Sequence, residues 1–458
     1  MRTDLPKILL VNPVTRDNTR VLRVERCQQK LFHPVGIWPP ITLLEIAVYL
    51  KHNSFTDIQI IDGEIEGLSF DSLVDEIVRV KPAIVVIQAT TPTIDDDILF
   101  ASRLKQKSNK FVTVFIGLHA TVFPQDLLKN EAIDYVILGE PEEAVSELVS
   151  CLFGRKGNLS DIRGLGYRNN GSIFVNQKRT ARDNYDYPGM PDRSLLKNDK
   201  YIMPLTGRPF TVIKVSRGCD FNCTFCTSAA YYGKGWKARS PENIINEIKD
   251  VKDNYNIDTF LFLSDTFNGN KDFVDKLASL IIKENLNIKW VANSRVDLID
   301  KESVALMKKA GCILVSLGIE SYDKTVLGAS RKYLTKQVID RAVSILKKYG
   351  IRTYGYFIFG LEKENKISMM MTAVRAFKSK LDFAVFYSLT PYPGTDYFMR
   401  YNNRDWKDYF HGRSAIVGYS HLGKYTIKIF TYLALVLFYL RPGRFILLVK
   451  YLLTRRLY

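Results

Sequence analysis

Apolar residues fall in short continuous runs through the first third of the chain, at 8–11, 58–61, 83–87, 112–116 and 135–138. Between them, residues 41–50, 70–80, 96–105 and 142–152 repeat apolar positions at helical spacing. Val/Ile-rich runs of four or five residues, alternating with amphipathic helices, predict a parallel sheet covered on both faces. Residues 1–152 are therefore expected to form a doubly wound α/β domain. Such sheets take ligands at the carboxyl ends of their strands. Here those ends carry Asn12-Pro13, Thr90-Thr91-Pro92-Thr93, Gly117-Leu118-His119 and Gly139-Glu140-Pro141-Glu142. Gly, Thr and Pro suit loops that let backbone approach a bulky ligand. No G-x-G-x-x-G follows the first run, which excludes a dinucleotide fingerprint.

Residues 153–210 lack that alternation and read as a linker, with a hairpin at 165–176 turning on Asn170-Gly171. Alternation resumes over 211–400. Strand-like runs stand at 211–215, 259–263, 289–292, 313–317, 353–358 and 383–389, with helical patterns at 242–251, 273–283, 301–310 and 336–349. Six strand-like runs in βα alternation predict a barrel or a partial (β/α)6 barrel, whose chemistry belongs at the C-terminal strand ends. Residues 401–458 form a tail with two apolar pieces separated by Arg441-Pro442-Gly443-Arg444. Each piece is shorter than the roughly 20 residues a bilayer crossing needs. Two short basic, aromatic-rich helices predict peripheral membrane contact, the alternative being helices that pack on the barrel.

A chain of 458 residues with 46% hydrophobic and 25% charged residues is globular and multidomain. Its net charge of +17 is uneven: residues 410–458 hold eight Lys/Arg and no Asp or Glu. This asymmetry points to an anionic surface, and the tail is too apolar for a phosphate-tracking one, so no nucleic acid is expected. Six cysteines, three of them in one loop, do not make a disulfide framework. A reducing, cytoplasmic setting is expected, at the inner membrane face if the tail docks there. The start of the chain shows no signal-peptide core.

The three clustered cysteines, Cys219, Cys223 and Cys226, stand in a C-x3-C-x2-C spacing directly after the run at 211–215. Cys27, Cys151 and Cys312 are scattered singly, and Cys312 reads as a packed thiol. Structural zinc wants four ligands, and none of His33, His52, His119, His411 or His421 lies near the loop. Three thiolates can instead hold three corners of a [4Fe-4S] cluster and leave one iron open.

With Phe225 before the last cysteine, the loop resembles that of the radical S-adenosylmethionine (SAM) superfamily. The segments 38–50, 60–73, 90–93, 117–124 and 139–145 resemble the flavodoxin-like cobalamin-binding domain that precedes some of those barrels. The nearest group includes the anaerobic oxidative cyclase of bacteriochlorophyll synthesis and hopanoid- and tetraether-lipid-modifying enzymes. The resemblance implies an open iron that chelates SAM, reductive cleavage to a 5′-deoxyadenosyl radical, and cobalamin as methyl carrier or redox partner. It assigns Phe225, Ser264, Asp265, Thr266, Arg295, Glu320 and Ser321 to SAM. A carboxylate suits ribose hydroxyls and an arginine suits the SAM carboxylate. It assigns Asn12, Thr90, Thr91, Gly117, His119, Gly139 and Glu140 to cobalamin. The D-x-H-x-x-G motif of other cobalamin proteins is absent, so His119 is either a cobalt ligand or a loop histidine bonding the corrin or a backbone carbonyl. After the fifth barrel strand, Gly360-Leu361-Glu362-Lys363-Glu364 replaces the usual GLPGE, so a different turn is expected. The expected reaction is methylation or ring/C–C bond formation at an unactivated C–H bond of an apolar, lipid or isoprenoid substrate, with ferredoxin or flavodoxin as electron donor. The alternatives are a tRNA methylthiotransferase-like enzyme and a non-catalytic corrinoid sensor.

Overall fold

The five N-terminal runs pair side by side. The computed structural model describes residues 5–25, 27–30, 36–154, 156–179, 185–401, 404–409 and 422–454. Strand β1 (Ile8–Asn12) lies between β4 (Ile58–Asp62) and β5 (Ile84–Gln88), and β6 (Val112–Ile116) and β7 (Tyr135–Ile137) follow, all parallel. The order β4-β1-β5-β6-β7 reverses between β1 and β5, which opens the ligand crevice of a doubly wound sheet there. A separate hairpin, β2 (Val21–Val24) with β3 (Cys27–Lys30), follows β1.

The hairpin at 165–176 corrects the expected boundary. Its strands β8 (Leu165–Asn169) and β9 (Ser172–Val175) continue the sheet, antiparallel to β7, so it is not part of a free linker. A three-residue β7 would otherwise leave an unpaired edge. Asn170 and Gly171 take φ of 48° and 79°, as a type I′ turn requires.

In the second half, β10 (Thr211–Lys214), β11 (Thr259–Leu263), β12 (Lys289–Arg295), β13 (Cys312–Glu320), β14 (Arg352–Phe359) and β15 (Phe383–Ser388) pair in chain order, all parallel. This is the six-stranded open barrel. Its outer helices begin where Ser240, Asn270, Asp300, Thr335 and Asn365 each cap the amide of the third helical residue.

The two units share a core. Helices α1 (Ile41–His52) and α4 (Glu142–Leu152) cover one face of the N-terminal sheet; α2 (Phe70–Val80) and α3 (Ile94–Lys107) cover the other. Every residue of α1 from 41 to 50 is buried. The reason is that Val212, Leu261, Leu263, Val291 and Phe383 of the barrel belong to the same apolar cluster as α1 and α4. A helix buried on every side is apolar nearly all round, and Glu45 is the one charge among those positions of α1.

The tail forms α10 (Lys424–Tyr439) and α11 (Pro442–Thr454), with a 97° bend between them. No single helix among the described residues is long and apolar enough to cross a membrane. Helix α10 packs Ile427, Thr431, Ala434 and Phe438 onto the barrel, against β15 and the helix Lys366–Lys378. Arg444, which separates the two apolar pieces of the tail, is buried. It donates to the carbonyls of Phe377, Ser379, Leu381 and Phe438. His33, His411, His421, Arg455 and Arg456 lie outside the described residues.

Candidate functional site

The cysteine loop is framed before it is chemical. Ser216–Arg217 pairs antiparallel with Lys237–Ala238, closing residues 218–236 into one excursion at the end of β10. Gly218 pinches its base at φ 69°, where a Cβ would collide with the Gly235 carbonyl. Cys219, Cys223 and Cys226 are all half-buried, and the Cys226 amide donates to the Cys223 carbonyl at 3.1 Å. Among the described residues no three His, Cys, Asp or Glu side chains converge on a single-ion site. The thiols meet the barrel rim at two points. Cys219 Sγ lies 3.2 Å from Thr266 Oγ1, and Arg295 Nη1 lies 3.9 Å from Cys223 Sγ. Burial pushes the Cys223 thiol up, against the pull of Lys332 and Arg295.

The rim brings most expected SAM residues to this loop. Ser264 bonds Ser216 and accepts from the Thr266 amide at 3.0 Å. Asp265 accepts from Ser228 at 2.6 Å. Arg295 lies 3.4 Å over the Phe221 ring and pairs with Asp297 at 2.8 Å. Phe225 packs with Val326, Leu361, Leu389 and Tyr397. Strand β13 carries a register shift at Gly318/Glu320, and Glu320 takes φ 66°. A bulge of this kind re-aims a side chain. Glu320 pairs with Lys332 at 2.8 Å, both buried. A Cβ on Gly318 would stand 2.7 Å from Glu320 Oε1 and 2.8 Å from Lys332 Nζ. Lys332 escaped the sequence reading, since nothing local marks it. Ser321 is fully buried, its hydroxyl engaged with Thr372 and the Asp323 amide.

After β14, Lys363 stands at φ 63°, a backbone natural to the glycine that the resemblance expects there. The substitution leaves a left-handed residue in the turn, strained rather than removed. Glu364 accepts from the Gly360 and Leu361 amides, and burial pushes its carboxyl up to about 8.

In the N-terminal crevice, Asn12 Oδ1 and Gln88 Oε1, on the last residues of the adjacent strands β1 and β5, are buried and without partners among the described residues. Arg23 of β2 pairs with Asp97 at 3.0 Å and donates to the Gln88 carbonyl at 2.9 Å. The Thr90 amide and Thr93 hydroxyl also reach Asp97, and Thr91 is fully buried. Gly117 sits at φ 113°, where a Cβ would strike the Ala89 carbonyl. Gly139 takes φ 74° and donates to Thr121 at 2.9 Å. His119 lies between Phe123 and Trp406, with ring centroids at 5.1 and 4.9 Å. Its Nδ1 has no partner among the described residues, and burial pushes the imidazole down to about 3, so it is neutral.

Glu140 does something the sequence did not suggest. It pairs with Arg217, two residues before Cys219, and accepts from Tyr185 at 3.2 Å. Arg217 also meets Glu45 at 2.9 Å and Glu142 at 3.0 Å. Beside it, Lys214 pairs with Glu25 and Glu45. Every one of these side chains is nearly or fully buried. They form an ionic seam between α1, the β7 loop and the cysteine loop. Lysine within the apolar run at 211–215 was the one signal available.

A radical SAM superfamily model matches residues 213–375, and a B12-binding-domain model matches residues 31–149. An uncharacterized methyltransferase of Pyrococcus horikoshii is 34% identical over 443 residues, spanning 95% of this chain and 93% of that one. The chain belongs to the B12-binding radical SAM family. The anaerobic magnesium-protoporphyrin IX monomethyl ester cyclase of Rubrivivax gelatinosus is 29% identical over 375 residues, covering 81% of this chain and 67% of the relative. Among solved structures, the radical SAM methyltransferase TsrM of Kitasatospora setae superposes with a TM-score of 0.69 at 16% identity, over 86% of this chain and 74% of TsrM. It shares the fold.

As a B12-binding radical SAM enzyme, the protein uses a [4Fe-4S] cluster, SAM and cobalamin. The residues present fit these groups. Three thiols on one framed loop suit a cluster with an open iron. Buried Ser294 Oγ and Thr390 Oγ1, at the ends of the third and sixth barrel strands, lack partners among the described residues and suit a polar nucleoside. The orphaned Asn12 and Gln88 oxygens at the switch point suit the amide-rich rim of a corrin.

Proposed function

We propose that this enzyme functionalises an unactivated C–H bond of an apolar substrate, of lipid or isoprenoid type, by methylation or C–C bond formation. The observation that carries the reading is the seam: Arg217 ties the start of the cysteine loop to Glu140, in the loop that ends β7 of the cobalamin-binding domain, and to Glu142 at the start of α4. One carbon must be reached from both cofactors, and this contact holds their two binding loops together.

Cys219, Cys223 and Cys226 hold the cluster. Phe225, Ser264, Asp265, Thr266, Arg295, Glu320 and Ser321 surround SAM, with Lys332 fixing the Glu320 carboxylate. Ser321 acts through the turn it holds. Asn12, Thr90, Thr91, Gly117 and Gly139 line the corrin, while Glu140 serves it indirectly through Arg217. His119, neutral and enclosed by Phe123 and Trp406, orients its helix rather than binding cobalt. Once bound, the cluster and SAM supply a radical able to take hydrogen from carbon, and cobalamin supplies methyl or electron transfer. The chain orients these groups and excludes water. Residues 1–152 together with the hairpin form the cobalamin domain, 211–400 the barrel and 401–458 the tail. A small electron carrier, ferredoxin or flavodoxin, reduces the cluster in the cytoplasm.

The test is anaerobic reconstitution followed by assay of iron, sulfide and 5′-deoxyadenosine, with Cys223→Ala as control. Wild type is expected to bind about four irons and cleave SAM, and the variant to do neither. A methyl-sized mass gain in a co-purifying lipid supports the substrate class. A full cluster without SAM cleavage overturns the reading in favour of a corrinoid sensor.

A further inference from the structure

Helix α10 has two apolar faces, and among the described residues only one is covered. Ile427, Thr431, Ala434 and Phe438 are buried against the barrel. Tyr425, Ile429, Tyr432, Leu433, Val436 and Leu440 are exposed, each more than half accessible. At about 100° per residue, the two sets point about 180° apart. Phe445 and Ile446 extend the exposed stripe onto α11. Contiguous exposed apolar surface of this kind marks an interaction site.

We propose that this stripe is a preformed docking face for an anionic lipid bilayer, lying in the interface rather than crossing it. The charge argues for lipid. Lys424 and Lys428 are exposed on α10, and residues 422–454 carry no Asp or Glu to offset them, although Arg444 itself is turned into the barrel. A second copy would bring the same cation-rich, acid-free surfaces together, at an electrostatic cost. Two helices of 16 and 13 residues, bent by 97°, cannot span a bilayer of about 30 Å as one rod. Tyrosines at the helix start suit the headgroup level.

The face is rigidly aimed. Arg444 ties the bend to carbonyls of Phe377, Ser379 and Leu381, and the Tyr439 hydroxyl bonds the Ala384 carbonyl at 3.2 Å. At the other end, a Cβ on Gly360 would stand 3.0 Å from Ile427 Cδ1. Helix α10 therefore runs antiparallel to β15, its N-terminus at the end of the barrel where the cysteine loop lies. Tyr425, Lys424 and Lys428 sit at that cofactor end. Docking here brings the bilayer surface alongside the cofactor end, which gives the lipid-substrate reading a delivery route without depending on it.

The experiment is flotation of the full-length protein with vesicles of phosphatidylcholine alone or with 30% phosphatidylglycerol. Wild type is expected to float with anionic vesicles and to be released by salt. Lys424→Gln with Lys428→Gln should weaken binding about fivefold per residue, at about 1 kcal/mol each. Ile429→Asp with Val436→Asp should abolish flotation while leaving the thermal melt and, in reconstituted enzyme, SAM cleavage unchanged. Flotation is read independently of catalysis, so a failed SAM assay leaves this test standing. Absence of wild-type flotation overturns the proposal. So does an Ile429→Asp/Val436→Asp variant that floats normally, or a wild-type dimer that the same variant dissociates.

Discussion

Replacing Arg217 by methionine tests the ionic seam directly. The guanidinium is buried and faces three carboxylates, Glu45 and Glu142 at 2.9 and 3.0 Å and Glu140 closer still. Removing one partner of a buried ion pair costs about 3–5 kcal/mol, because the other charge is left uncompensated. The loss has a ceiling, since a stranded carboxylate can take up a proton. At pH 7.5, neutralising an acid of ordinary pKa costs about 1.4 kcal/mol per unit over about three units, or about 4 kcal/mol. Glu45 starts from a raised pKa, because burial outweighs the pull of Lys214 and Arg217. Without Arg217 it rises further. A folded-state acid with a raised pKa binds a proton that the unfolded chain has released. Stability is therefore lost as pH climbs from the unfolded pKa through the folded one, by up to about 1.4 kcal/mol per unit. The expected deficit is about 3–4 kcal/mol at pH 7.5 and about 1–2 kcal/mol at pH 5.5. The assay is urea denaturation of the reduced, cofactor-free protein at both pH values, with Arg217→Met/Glu45→Gln completing a double-mutant cycle. The second change should recover about 2 kcal/mol at pH 7.5 by removing the stranded charge. A deficit below about 1 kcal/mol, or one equal at both pH values with no recovery, would refute an ionic seam.

Glu364→Gln keeps an acceptor for the Gly360 and Leu361 amides but removes a carboxyl held near 8 by burial. Thermal melts from pH 5 to 9 should show wild type losing stability as pH rises through that window, and the variant losing less. Arg444→Met strands the carbonyls of Phe377, Leu381 and Phe438, while Ser379 keeps its bond from Arg441 at 2.9 Å. At about 1–3 kcal/mol for each group left unsatisfied, limited proteolysis should cut the tail well before the barrel. Gly117→Ala forces a side chain into the Ala89 carbonyl at φ 113°. Corrin retention, followed by absorbance, should fall at least tenfold while iron content stays at wild type.

The fold was legible where physics is local. Val/Ile runs set the strands to within two or three residues, and apolar spacing placed the helices between them. The cysteine spacing named its own loop. What stayed hidden depends on distance along the chain. Arg217 meets carboxylates 77 and 172 residues away, and no local periodicity carries such a pairing. The hairpin at 165–175 was read correctly as a hairpin and misassigned to a linker, because turn chemistry fixes a turn but not the sheet it joins. Arg444 read only as part of the break between two apolar pieces of the tail. Its burial follows from unpaired carbonyls at the base of the barrel, which sequence does not display. Lys363 looked like a broken motif, yet the left-handed turn position survives with strain in place of glycine.

Domains joined within one chain move relative to one another by default, because their interfaces are modest and polar. This chain departs from that default twice. Barrel-interior residues Val212, Leu261 and Phe383 share one apolar cluster with α1 and α4, so separating the units would open a hydrophobic core. The seam of Lys214 and Arg217 with Glu25, Glu45, Glu140 and Glu142 then adds direction, which apolar contact lacks. Ion pairs buried in this way are weak sources of net stability, yet breaking one by moving its partner away is costly, which penalises other arrangements of these loops. The division of labour suits a reaction that must reach one carbon from two cofactors. The core fixes how firmly the domains are held, and the ions fix how the cysteine loop faces the crevice. A loose linker would leave both to chance, and a misplacement of about 1 Å is enough to cost a hundredfold in rate.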